Sequence, residues 1–289
     1  MKVSGFTFIR NAIKYDFPVV ESIRSILPIC DDFYVAVGDS EDDTLELIQS
    51  IDPKIKIQET YWDDELLEGG RVFAAETRKA FEMIPDDSDW CFCIQADEAL
   101  HEQYYNTVLE AMDKWKDSPE VDGLLFNYLH FYGSYDYLNP SPNWYRREIR
   151  IIKNDPSIYP YRDSQGFRKG NNQKLNVKLL DAWMYHYSMV KDPRFQQKKR
   201  NYALKSFYKE IPEDQYQTQE DVFDYHLVDI LKRFEGTHPQ VLQERIEKVD
   251  WHFNPDISIN RLSLKNRFRL WMLRHFNYMP WEYRNYKII

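Results

Sequence analysis

DWCFCIQADEAL, residues 89–100, changes character in its middle. Trp90 to Ile94 is apolar and reads as a buried strand. It stops at Gln95-Ala96-Asp97-Glu98, an amide and two carboxylates around one alanine. Alone, the pattern fits a solvated strand end as well as a strand that delivers polar groups to a ligand. The chain on either side has to decide.

Upstream, KVSGFTFI (2–9), DFYVAVG (32–38) and IKIQET (55–60) are rich in β-formers and read as strands. Asp16 and Pro18 open a helix to Leu27, with Asp16 as its cap, and DSEDDTLELIQSI (39–51) reads as a helix with an acidic first turn. GRVFAAETRKAFEMI (70–84) has helical periodicity ahead of the strand WCFCIQ (90–95). A helix, EQYYNTVLEAMDKW (102–115), and a fifth strand, VDGLLFNYLHF (121–131), follow. This alternation predicts an α/β fold, a mostly parallel sheet flanked by helices, whose ligands gather at the carboxyl ends of the strands. Arg10-Asn11, Gly38-Asp39 and Gln95 to Glu98 all fall at such ends, so they are expected to converge on one cleft. REIRIIKN (147–154) and LLDAWMYHYS (179–188) read as later strands, and long helices are expected at 194–210 and 219–235. The predicted organisation is one domain over 1–190 with a helical C-terminal extension over 191–289.

Composition narrows the function. The net charge is −9, which argues against nucleic acid as a partner, because phosphate backbones demand a basic face. No apolar run approaches the ~20 residues that span a bilayer. Arg10 and Lys14 break the segment where a signal peptide would be apolar, so a cytoplasmic location is expected. Cys91 and Cys93, two apart in a strand, should point to one face as small buried hydrophobes and not as zinc ligands. Residues 261–276, RLSLKNRFRLWMLRHF, mix Leu, Phe, Trp and Met with Arg and Lys, the composition of an interfacial helix. Peripheral contact with anionic membrane and a helix packed on the protein's own acidic surface are both open.

Both common nucleotide-binding loops are missing. The first strand turns through IRNAIKYDF, with no G-x-G-x-x-G and no G-K-[ST]. The second turn, GDSEDDT, places Asp39, Glu41, Asp42 and Asp43 at a helix start, and those carboxylates would repel a phosphate. Glu41, Asp42 and Asp43 read best as helix caps, whereas Asp39 at the strand end is the candidate ligand for a nucleoside. A nucleotide diphosphate bound here would need its charge met elsewhere, by a divalent cation on a carboxylate such as Asp97 and by Arg10 and Arg71.

With these residues in place, FIRNAIKYDF, the D-S-x-D-x-T turn at 39–44, GGRVFAAETRKAF and DWCFCIQADEALHE together resemble the family-2 glycosyltransferases of the GT-A fold. The resemblance runs from residue 1 to about 190 and rests on the order of the motifs as well as their letters. It implies a GT-A-like sheet and transfer of a sugar from a UDP- or GDP-sugar donor to a hydroxyl of a saccharide or lipid-linked acceptor, with inversion. Surface polysaccharide or glycolipid synthesis would be the setting. The family's D-x-D motif becomes Gln95-Ala96-Asp97 here, so Asp97 is the retained acid and Gln95 a departure that removes one charge but can still hydrogen-bond a hydroxyl. The resemblance also suggests His186, within Tyr185-His186-Tyr187, as a second ligand beside Asp97 for Mn²⁺ or Mg²⁺. An inverting displacement needs one general base, for which Asp163 in YRDSQGFRKG is favoured and Glu148 and Asp136 are further candidates; His130 and Tyr132 are placed to meet an acceptor sugar. Two other functions stay open at this point: an inert sugar-nucleotide binding protein, which Gln95 would permit, and a sugar nucleotidyltransferase, which the glycine-poor IRNAIK turn disfavours.

Overall fold

The computed structural model describes residues 1–207 and 222–289. Strands β1 (Val3–Ile9), β2 (Asp32–Gly38), β3 (Ile55–Thr60) and β4 (Trp90–Cys93) form a parallel half-sheet in the order β3-β2-β1-β4. β5 is Glu98–Leu100, β6 Gly123–Tyr132, β7 Ser134–Leu138 and β8 Arg147–Lys153. β9 (Ile158–Pro160), β10 (Phe167–Lys169) and the long β11 (Gln173–Met189) precede two short strands, β12 (Lys232–Arg233) and β13 (Tyr286–Ile288). β8 enters antiparallel between β4 and β6, and β6 then pairs parallel with β11. The fold is α/β, as expected, with a mixed second half.

The helices are α1 (Val19–Ile26), α2 (Thr44–Gln49), α3 (Arg71–Glu82), α4 (Tyr105–Trp115), α5 (Pro193–Phe207), α6 (Gln243–Glu247) and α7 (Leu264–Phe276). Strand residues buried on alternate faces give two apolar layers. Val35, Phe92 and Phe126 meet Ile23, Val108 and Met112 of α1 and α4 on one side, while Phe6, Cys91 and Cys93 meet Ala80 and Phe81 of α3 on the other. The two cysteines do share a face, and burial pushes the Cys93 thiol up to about 12.

Three local expectations need correction. Asp16 does not cap α1; its backbone is left-handed (φ 50) and its carboxylate pairs with Arg245. The acidic turn reaches helix only at Thr44: Asp42 accepts from the Thr44 backbone amide (3.2 Å) as a cap would, and also from the Lys14 amide (2.6 Å), but Glu41 pairs with the Lys14 ammonium (2.6 Å) and Asp43 makes no side-chain cap bond. The helix expected over 219–235 is absent from residue 222 onward, where β12 pairs with β7; 219–221 and 208–210 lie outside the described residues.

Pairing of β11 fixes the site. It sets His186 opposite His130 on β6 and opposite Glu98 on β5, beside the turn that leaves β4.

Candidate active site

The polar turn of residues 95–98 is anchored from below. Glu98 is fully buried and accepts from the Arg150 guanidinium at 2.7 and 2.6 Å, from the Tyr128 hydroxyl at 2.8 Å and from the Gln95 amide at 3.2 Å. It is therefore turned inward and is not a ligand-facing acid. It holds the turn, with the Tyr187 amide donating to the Asp97 carbonyl (2.7 Å), so that Gln95 and Asp97 face outward.

Hydrogen bonding settles the protonation of the two histidines behind Asp97. His130 Nε2 lies 2.6 Å from the Tyr145 carbonyl, which can only accept, so that nitrogen carries the proton. Burial lowers the His130 pKa to about 3, leaving its Nδ1 bare to accept from His186 Nδ1 at 2.8 Å. Burial also lowers His186, so its Nε2 is left with a lone pair that faces Asp97 Oδ1 at 3.8 Å. Two acceptors confront each other with no proton between them. Burial, the largest single influence, would raise the Asp97 carboxyl, but Lys199, 3.4 Å from Oδ2, together with His186 and Lys191 outweighs it and holds Asp97 below the ordinary carboxylate range.

A hard divalent cation fits such a pair, since a metal-bound imidazole characteristically donates its other N–H to a neighbour. Among the described residues no cluster of three His, Cys, Asp or Glu side chains is placed to hold a metal. Asp97 and His186 would thus supply two ligands and leave the remaining positions to a bound substrate's oxygens and water, as Mg²⁺ sites commonly do.

Two cavities meet at this turn. The first, about 320 Å³, is walled by Arg10, Asn11, Asp97, Lys199 and aromatic rings including Trp62 and Phe73. Tyr15 and Tyr202 stack at 4.9 Å in its wall. The second, about 510 Å³, lies between Trp144, Glu148 and the C-terminal residues Arg269, Trp281 and Tyr283. Gln95 and Asp163 line both.

Asp163 occupies a constrained loop. Its neighbours Arg162 (φ 56) and Ser164 (φ 64) both adopt left-handed backbone, a conformation that costs ~1–3 kcal/mol per non-glycine residue and clusters at functional sites. The Asp163 Oδ1 is buried without a hydrogen-bond partner among the described residues, and burial raises its carboxyl above the usual range. Glu148 Oε2 is likewise buried and unpartnered, and burial pushes that carboxyl up to about 8. At neutral pH Glu148 therefore presents a proton, while Asp163 is the better acceptor.

The remaining expected residues divide. Arg10 and Asn11 reach the first cavity, although Arg10 also grips Asp39 at 2.9 Å and the Asn11 side-chain carbonyl accepts from the Glu41 amide at 2.7 Å. Asp39 lines neither cavity; it sits partly exposed behind Arg10 and Trp62, its other oxygen accepting from the Trp62 backbone amide at 3.3 Å. Arg71 is not brought to this cavity. Its guanidinium donates to the Glu65 and Glu68 carbonyls, and it faces a separate surface concavity that Asp163 also borders. His130 is buried against His186 and Tyr145, and Tyr132 packs on Tyr225, so neither lines the second cavity. Sequence reasoning missed Lys199 and Tyr202 on α5 and Trp281 and Tyr283 near the end. The basic run Lys198-Lys199-Arg200 was the available signal for the first of these.

No protein-family model matches the sequence, and no curated protein does. Among solved structures, TarS from S. aureus in complex with UDP-GlcNAc overlaps 75% of this chain and 69% of its own, at 15% identity and a TM-score of 0.41. Against the longer S. aureus TarS structure the TM-score is 0.39 at 13% identity, over 75% of this chain, and the chain covers 41% of that protein. Glucosyl-3-phosphoglycerate synthase from Mycobacterium tuberculosis, in complex with Mn²⁺, UDP and glucosyl-3-phosphoglycerate, overlaps 46% of this chain and 45% of its own, at 14% identity and a TM-score of 0.30. These are likenesses of fold, and the functional reading rests on the two cavities.

Proposed function

We propose that the chain is a glycosyltransferase that moves a sugar from a nucleoside diphosphate donor to a hydroxyl acceptor. The observation that carries this reading is the meeting of the two cavities at Gln95 and Asp163. The aromatic cavity suits a nucleoside, between rings such as Tyr15, Tyr202 and Trp62, with Asp39, bonded to the cavity residues Arg10 and Trp62, as the candidate for nucleoside hydroxyls. The diphosphate then lies toward Lys199 and Arg10, and Asp97 with His186 would hold a divalent cation there that offsets its charge. Gln95 is placed to hydrogen-bond the sugar.

The acceptor enters the second cavity. Asp163 takes the proton from its hydroxyl as the acceptor oxygen bonds to the anomeric carbon. The bond from that carbon to the donor phosphate oxygen breaks in the same displacement, and its electron pair leaves with the nucleoside diphosphate. Glu148, protonated, donates to an acceptor oxygen. In this reading residues 1–190 form the catalytic domain, and 191–289 complete both cavities through α5 and the segment around Trp281. The reading favours a family-2-like enzyme of surface polysaccharide or glycolipid synthesis. Among the described residues no helix is long and apolar enough to cross a membrane.

A panel of radiolabelled UDP- and GDP-sugars tests it. Slow release of free sugar from one donor is expected; pyrophosphate-dependent exchange, or binding without turnover of any donor, contradicts it.

A further inference from the structure

Helix α7 buries none of its residues. At about 100° per residue, Leu264, Phe268, Trp271 and His275 fall in one stripe along it. That stripe faces solvent: Leu264 is 84% exposed, Phe268 45% and Trp271 50%. Phe268 stacks on Trp271 at 6.1 Å and Trp271 packs on His275 at 5.2 Å, so the rings form a continuous apolar ridge. The opposite side, with half-buried Arg269, Leu270 and Leu273, turns toward the protein, where Arg269 donates to the Pro280 carbonyl (3.1 Å).

Lys265 flanks the ridge on one side, and Arg267 and Arg274 on the other. The helix contains no acid, although the chain as a whole carries −9. A basic helix serving stability alone would lay its side chains on that acidic body, yet this one holds its largest rings away from it. Two copies meeting through the ridge would set like charges face to face. An apolar crest between basic shoulders is complementary to a sheet of acyl chains beneath anionic headgroups.

We propose that this face of α7 seats the protein on an anionic lipid surface. Exposed Phe276 and Tyr278 widen the contact beyond the ridge. Arg269, Trp281 and Tyr283 belong to the same C-terminal segment and wall the second cavity, and Phe268 of the ridge packs on Trp281 at 6.3 Å, so the ridge adjoins the wall of that cavity. On the reading of that cavity as the acceptor site, the acceptor is a hydroxyl compound carried on a lipid.

Flotation of the full chain tests the surface, with vesicles of pure phosphatidylcholine and vesicles rich in phosphatidylglycerol, and without any sugar donor. The native protein is expected to float only with the anionic vesicles. The Phe268→Ser/Trp271→Ser and Lys265→Glu/Arg274→Glu variants should each lose roughly tenfold or more of that partitioning. Their thermal melts should match the native one, since all four side chains are removed from exposed positions. Failure of the native protein to float overturns the proposal, as does equal flotation of the variants. Light scattering that shows a native dimer split by Phe268→Ser/Trp271→Ser also overturns it, because a second copy would then cover the ridge. Should the protein float while turning over no donor, the lipid surface stands and the transferase reading falls alone.

Discussion

His130 decides which nitrogen of His186 carries a proton. Its own proton is fixed on the Tyr145 carbonyl, so its free nitrogen must accept from His186 Nδ1, and the His186 lone pair is turned to Asp97. His130→Phe keeps a ring of similar size and removes the acceptor. It is expected to weaken Mn²⁺ binding in the presence of UDP by about tenfold, the usual effect of losing a ligand's supporting partner. Titration of Mn²⁺ by electron paramagnetic resonance reads this directly, and unchanged affinity would refute the tautomer assignment. Asp97 and Gln95 were legible because polar residues ended an apolar strand. His130 was singled out as an acceptor contact, and its partners show it instead buried behind His186. Arg71 was misjudged because a loose charge in sequence gives no sign that backbone carbonyls have already engaged it.

Strands carry the site with little tolerance, and the buried Arg150–Glu98 pair is what ties β8 to the turn after β4. Both side chains are almost wholly buried. Breaking such a pair strands a charge, so Arg150→Met is expected to destabilise the protein by about 3 kcal/mol or more. It should also loosen nucleotide binding, since Glu98 fixes the Gln95 amide. Urea denaturation measures the first effect; a loss well under 1 kcal/mol would show that Glu98 finds other partners. At this scale β2 and β3 were legible to the residue, because β2 is an unbroken buried apolar run and β3 alternates from Ile55 to Gln58. The segment 222–235 was misread as helix. Its apolar spacing is helical, but Tyr225 and Leu231 pack on Tyr132, and Lys232–Arg233 pair with β7, so tertiary contacts override local preference.

Two long-range features lay beyond local pattern in the molecule as a whole. α5 supplies Lys199 and Tyr202 to the first cavity, and β13 pairs parallel with β11, so the segment after residue 190 is woven into the sheet. The β13–β11 pairing leaves no trace in the spacing of nearby residues, and the run Lys198-Lys199-Arg200 marks α5 only as basic. The buried carboxyls set how stability varies with pH. Glu148 has a folded-state pKa of about 8 against an ordinary 4.5, so the folded protein binds its proton more tightly than the unfolded chain does. That contribution is fully present below pH ~4.5 and is lost as the pH rises to about 8. Glu148→Gln, which cannot ionise, is expected to melt higher than the native protein at pH 8 and alongside it at pH 4. Differential scanning calorimetry across that range checks the slope, and parallel curves for the two proteins would contradict it.

The shared position of Asp163 between the cavities is the centre of the account, and one variant isolates it. Asp163→Asn keeps the size of the side chain and removes its capacity to accept a proton. Calorimetry with the donor that the native protein turns over, followed by single-turnover transfer, separates binding from chemistry. The account predicts near-native donor affinity with turnover reduced by about a hundredfold or more, and a native rate that rises with pH through a carboxyl titrating above the ordinary range. Full turnover by Asp163→Asn, with donor affinity unchanged, would show that the proton leaves by another route and would contradict the assignment of the two cavities to donor and acceptor.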